Sequence, residues 1–119
     1  MTRYMAMAVR SRPEFELLLE PETNILLYRY IPPQWREALT QGPLPPGADQ
    51  AISRLNERLQ GAQRRAGRSF VSRTALHPEG RTGFTPLTAL RAVIASPMTA
   101  AEDIDAILEE QACIGAGLS

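Results

Sequence analysis

The chain has 119 residues, of which 44% are hydrophobic and 22% charged, the size and composition of one small globular domain with one core. Its 13 basic and 13 acidic residues cancel, which argues against a dedicated nucleic-acid binder and against capture by an acidic membrane surface. All 13 basic residues are arginine, so chemistry that needs a lysine amine of this chain, a Schiff base above all, is excluded. The single cysteine, Cys113, excludes an internal disulfide and a cysteine-rich zinc site and fits a reducing, cytoplasmic setting. The first dozen residues carry no signal-peptide pattern, and no run approaches the roughly 18 apolar residues of a membrane span.

In chain order, Thr2 to Ser11 reads as a short helix that Pro13 stops. Tyr4, Met5, Ala8 and Val9 form its modest apolar side. It begins without a cap, as a truncated longer helix would. Glu14 to Leu19 alternates Phe15, Leu17 and Leu19 and suits a strand. The turn residues 20–24 lead into a second strand, Ile25 to Ile31, that Pro32-Pro33 ends. Gln41 to Gly47 reads as an exposed loop. Asp49 is the expected N-cap of the main helix, which runs to about Ala66 with Ile52, Leu55, Leu59, Ala62 and Ala66 on one stripe.

A third strand covers Ser69 to Leu76, a turn His77 to Thr82, and a fourth strand Ala89 to Ala95. Thr99 to Glu102 has the form of a capping box. The last helix shows Ile104, Ile107, Leu108 and Gln111 on one face and is expected to end at Gly115 and Gly117. The predicted architecture is α+β: a four-stranded, mainly antiparallel sheet with helices on one face, in the order α-ββ-α-ββ-α. The chain is expected to be a single domain, 1–119, with a linking helix at 1–12, a core at 13–114 and a tail at 115–119.

Few residues point to chemistry. His77 is the lone histidine and has no partner fixed by spacing, so an ordinary turn histidine is the simpler reading. Cys113 has no basic neighbour and reads as a passive thiol. Glu102-Asp103 and Glu109-Glu110 read as capping or solvated groups. Arg64, Arg65 and Arg68 read as a solvated helix end, although arginines can bind phosphate. Gly115-Ala116-Gly117 is no phosphate loop, because no helix follows it. Arg91 differs: it interrupts an apolar strand, on the face opposite Leu90, Ala92 and Ile94. A guanidinium there can grip a carboxylate with two parallel hydrogen bonds; an ordinary surface arginine is the competing reading. No catalytic, cofactor-binding or metal-ligating residue is assigned.

The run Ala89 to Thr99, followed by Glu102-Asp103-Ile104-Asp105 and Leu108-Glu109-Glu110, resembles the C-terminal end of the group II pyridoxal-phosphate-dependent decarboxylases. These include the glutamate, cysteine sulfinate and diaminobutyrate decarboxylases. The resemblance extends to Arg12 to Leu17, to Asn24 to Pro32, and to Leu55-Asn56-Glu57-Arg58-Leu59 with Gly67. It implies a fold-type I dimer whose large domain carries the cofactor lysine and whose small domain packs helices on an antiparallel sheet. It places Arg91 where the glutamate and cysteine sulfinate decarboxylases hold the substrate carboxylate; aromatic amino-acid decarboxylases also have an arginine near this position, so it does not settle the substrate. The large domain has no counterpart in this chain. The stretch Arg81 to Thr88 is longer than the family's usual hairpin link.

The expectation is therefore a C-terminal domain or split subunit of an amino-acid carboxy-lyase, inactive alone, that completes the substrate pocket of a large pyridoxal-phosphate-binding partner. Self-association through the first helix or an uncovered sheet edge is expected. The alternative is a free-standing α+β binding or regulatory module without catalysis.

Overall fold

The computed structural model describes residues 2–19, 24–42, 44–45, 47–66, 71–76, 87–94 and 100–118. Helix α1 (Thr2–Ser11) turns Met5, Ala6 and Val9 inward, and all three are buried. That burial supplies the packing partner a ten-residue helix needs. Strands β1 (Phe15–Leu19) and β2 (Ile25–Tyr30) pair antiparallel, with a register shift between Leu17 and Leu19. A helix that the sequence reading did not assign follows: α2 (Pro33–Gln41), with Pro33 in its first turn and the Trp35 N–H donating to the Pro32 carbonyl at 3.0 Å. The proline pair that ends the strand also begins a helix, since a first-turn proline lacks only an N–H that the helix would leave unpaired. No residue of α2 is fully buried; Trp35, Ala38 and Leu39, at helical spacing, are only half-buried.

Helix α3 (Ala48–Ala66) places Asp49 within its first turn rather than at the cap. The chain enters it through Gly47, whose φ of 86° is left-handed and favours glycine, and whose carbonyl accepts the Ala51 N–H at 3.1 Å. Ile52, Leu55 and Leu59 face the core as the stripe requires. Strands β3 (Val71–Leu76) and β4 (Leu87–Val93) also pair antiparallel. β4 begins two residues earlier than expected and ends two earlier. Phe70, the turn at His77 to Thr82, and Ala95 to Thr99 lie outside the described residues.

Helix α4 (Ala101–Leu118) buries Ile104, Ile107, Leu108 and Gln111. Its capping contact sits one residue later than the expected box: the Ala100 N–H donates to Asp103 Oδ2 at 2.9 Å. Gly115 and Gly117 do not end the helix. Gly115 is buried within it, where a Cβ would stand 2.5 Å from Cζ of Tyr30. The glycine lets α4 lie directly on the tyrosine ring.

The sheet order is β1-β2-β4-β3, antiparallel throughout, so β2 and β4 are interior. Leu26, Tyr28 and Tyr30 of β2 and Leu90 and Ala92 of β4 pack with α1, α3 and α4 into one apolar cluster. This is the expected α+β layering, with α2 added between the second strand and the main helix. β2 and β4 pair only from Ile25 to Tyr28. Beyond that point Asn56 of α3 does a strand's work: its Oδ1 accepts the Tyr30 N–H at 2.8 Å, and its Nδ2 donates to the Tyr30 carbonyl at 3.0 Å.

The open sheet face and Arg91

In an antiparallel pair, residues directly opposite one another share a face. Arg91 lies opposite Leu27 on one side and Ser72 on the other. Its neighbours Leu90 and Ala92 are fully buried on the helix side. Arg91 therefore projects from the other face, in the middle of an interior strand, and is half-buried. Around it stand Leu27 and Val93, half-buried, and Ile25, exposed and paired with Val93. Among the described residues it has no hydrogen-bond or ion-pair partner.

A second arginine shares that face and behaves oppositely. Arg29 stands two residues beyond Leu27 on β2 and is completely buried. Its Nε donates to Glu16 Oε1 at 2.7 Å and its Nη1 to Asp49 Oδ1 at 2.9 Å, while its Nη2 is buried without a partner. Arg29 is thus neutralised within the domain and ties β1, β2 and the start of α3 together. Leu87 and Ala89 are also buried on this face, so it is open around Arg91 and closed around Arg29. Sequence reasoning passed over Arg29, although the signal was the same: one arginine inside an apolar strand.

The other singled-out residues are dispersed. Glu109 of α4 pairs with Arg12 at 3.2 Å, Asp103 caps its own helix, and Glu102 is exposed. Glu110 is half-buried, with Oε1 unpartnered. Cys113 is exposed on α4, as are Arg64 and Arg65 at the end of α3. His77 and Arg68 lie outside the described residues. Among the described residues no group of three or more His, Cys, Asp or Glu side chains is placed to hold a metal ion, and no helix is long and apolar enough to cross a membrane.

The helix named as a self-association surface is engaged internally. Met5 and Val9 are fully buried, and the Tyr4 hydroxyl donates to the Asp105 carboxylate at 2.8 Å. That bond is the main reason the Tyr4 hydroxyl titrates above its ordinary range.

No protein-family model matches the chain. It is 36% identical over 110 residues to the aspartate 1-decarboxylase of Aliivibrio fischeri, covering 91% of this chain and 20% of that protein. It is 28% identical over 116 residues to human acidic amino acid decarboxylase GADL1, covering 97% of this chain and again 20% of the relative. The crystal structure of mouse CSAD superposes with a TM-score of 0.78 at 26% identity, covering 98% of this chain and 22% of the mouse chain. The chain thus spans about a fifth of the length of the curated relatives it matches. Sequence and fold together point to one class, the group II pyridoxal-phosphate-dependent decarboxylases. What this chain shares with them is their small C-terminal domain. The residues present do not fit the covalent attachment of that cofactor: a chain without lysine can hold pyridoxal phosphate through no lysine imine.

Proposed function

We propose that this chain is the C-terminal domain or split subunit of a pyridoxal-phosphate-dependent amino-acid decarboxylase and that it is inactive alone. It docks its open sheet face on a large domain that carries the cofactor and its lysine. The observation that carries this reading is the surface around Arg91. An arginine on an interior strand without an ion-pair partner among the described residues, bordered by Ile25, Leu27 and Val93 and with exposed Ser72 opposite it on β3, is poorly placed for bulk water. It is well placed to line a pocket that a second body closes. Covering the apolar residues gains hydrophobic free energy, and excluding water strengthens the guanidinium's hold on an anion.

Arg91 then grips the substrate's carboxylate through its planar fork, fixing the amino acid's orientation. The intact assembly is a cytoplasmic dimer. The cofactor supplies the electron sink for loss of carbon dioxide from the large domain, and no step of that chemistry falls on a residue of this chain.

The test is complementation in trans. The chain is produced with the remaining four-fifths of the Aliivibrio fischeri enzyme as a separate polypeptide. The two are expected to co-elute and to release carbon dioxide from aspartate, which neither does alone. Turnover by the purified chain alone, or a pair that co-elutes no better than unrelated proteins, contradicts the proposal.

A further inference from the structure

Arg91 has two flanks within the sheet, and they differ in chemistry. On one side stands Leu27 of β2, apolar, branched and half-buried. On the other stands Ser72 of β3, small, polar and exposed. Residues directly opposite in an antiparallel pair hold their Cβ atoms roughly 5 Å apart on one face, so the Ser72 hydroxyl opens onto the same space as the Arg91 side chain. Among the described residues the side chain of Ser72, like that of Arg91, has no hydrogen-bond partner. The next residue of β3, Arg73, belongs to the other face, where its Nη1 donates to the Glu57 carbonyl of α3 at 3.1 Å. Its charge is therefore directed away from Arg91.

We infer that Ser72 is a second binding residue for the substrate's carboxylate, its hydroxyl donating to the same anion that Arg91 grips. This deepens the function proposed for the open face and rests on it. A guanidinium can present two parallel N–H bonds along its side as well as at its tip. A carboxylate held along the side that faces β3 stands above position 72, where serine leaves it room and adds a third donor from below. Along the side that faces β2, Leu27 would strip water from the anion and return no hydrogen bond. The carboxylate therefore settles on the β3 side of Arg91. Its position is then fixed by a strand pair, not by one long and rotatable side chain, and that sets how the rest of the amino acid lies in the pocket.

The test is aspartate turnover by this chain assembled with the remaining four-fifths of the Aliivibrio fischeri enzyme, with the variants made in this chain. Ser72→Ala should raise KM about tenfold and leave kcat little changed, as loss of a hydrogen bond to a charged group does. Ser72→Thr keeps the hydroxyl and should hold KM near that of the parent. In an Arg91→Lys background the effect of Ser72→Ala should shrink, because both donors hold one anion. Ser72 is exposed, and melting of each variant verifies that it is folded. A KM that rises with Arg91→Lys but is indifferent to Ser72→Ala overturns this inference alone. So does a Ser72→Ala effect of equal size in both backgrounds, which a merely structural role in β3 would give. A parent assembly that turns over no aspartate overturns the proposed function, and this inference with it.

Discussion

At the scale of single residues, the two strand arginines differ in what they hold within the domain. Arg29 is completely buried between Glu16 and Asp49, and replacing it with alanine removes both a charge partner and a packed stem. Glu16 and Asp49 are partly exposed and can rehydrate, so Arg29→Ala should cost about 2–3 kcal/mol rather than the full penalty of a stranded buried ion. Arg91→Lys should change stability by no more than about 0.5 kcal/mol. Paired urea titrations of the two variants check this contrast. Gly115→Ala is a sharper case, because a Cβ there would stand within 2.6 Å of three atoms of the Tyr30 ring. Overpacking should outweigh alanine's better helix propensity and leave a net loss of about 1–2 kcal/mol, read as a lower melting temperature. The arginine in the fourth strand was legible as an interruption of apolar alternation. Gly115 was misread as a helix end, because a glycine kept for close packing and one kept for chain termination look alike in a sequence.

At the scale of elements, a buried polar line joins β2, α4 and α3. The Tyr28 hydroxyl of β2 donates to Gln111 Oε1 of α4 at 2.7 Å, and Gln111 Nε2 donates to Gln63 Oε1 of α3 at 3.0 Å. Burial pushes the Tyr28 hydroxyl far above its ordinary value of 10.0. The raised value means that the folded protein keeps a proton that the unfolded chain releases. Stability from this group is therefore fully present below pH 10.0 and falls as the pH rises past it. Tyr28→Phe should remove most of that alkaline loss while costing about 1–2 kcal/mol at neutral pH, because Gln111 loses its donor. Melting curves between neutral and alkaline pH separate the two effects, with Tyr4→Phe as the control for the other raised tyrosine. Asn56 bridges elements in another way. Asn56→Ala would leave the Tyr30 N–H and carbonyl without partners where β4 no longer reaches, and should cost about 3 kcal/mol in chemical denaturation.

The strands and the two long helices were legible because each hides one apolar stripe, and period alone reveals a stripe. Helix α2 was not, because it fully buries no residue and its signal is capping chemistry at a proline pair. The shifted cap of α4 was missed because Thr99 and Glu102 satisfy the same pattern that Ala100 and Asp103 carry out.

At the scale of the whole molecule, a neutral domain with one core presents two sheet faces of opposite character. One is sealed by three helices, and the other is closed around Arg29 and open around Arg91. That asymmetry gives the likeness to about a fifth of a decarboxylase a physical sense, since the open half is the part a larger body would cover. The fold and the face on which Arg91 sits follow from alternation in the sequence. The extent of the open patch does not, because it depends on Leu87, Ala89 and Arg29 being buried on the same face.

The central claim is that Arg91 grips the substrate from this face, and a hybrid enzyme tests it most directly. This chain replaces the matching fifth of the Aliivibrio fischeri aspartate 1-decarboxylase, cofactor absorbance verifies that the hybrid is loaded, and carbon dioxide release is followed against aspartate concentration. With Arg91 in place the hybrid should turn over aspartate. With Arg91→Lys its KM should rise about tenfold or more, because a point-charge ammonium cannot reproduce the planar fork. A hybrid whose KM is the same with arginine and lysine at position 91 would contradict the account.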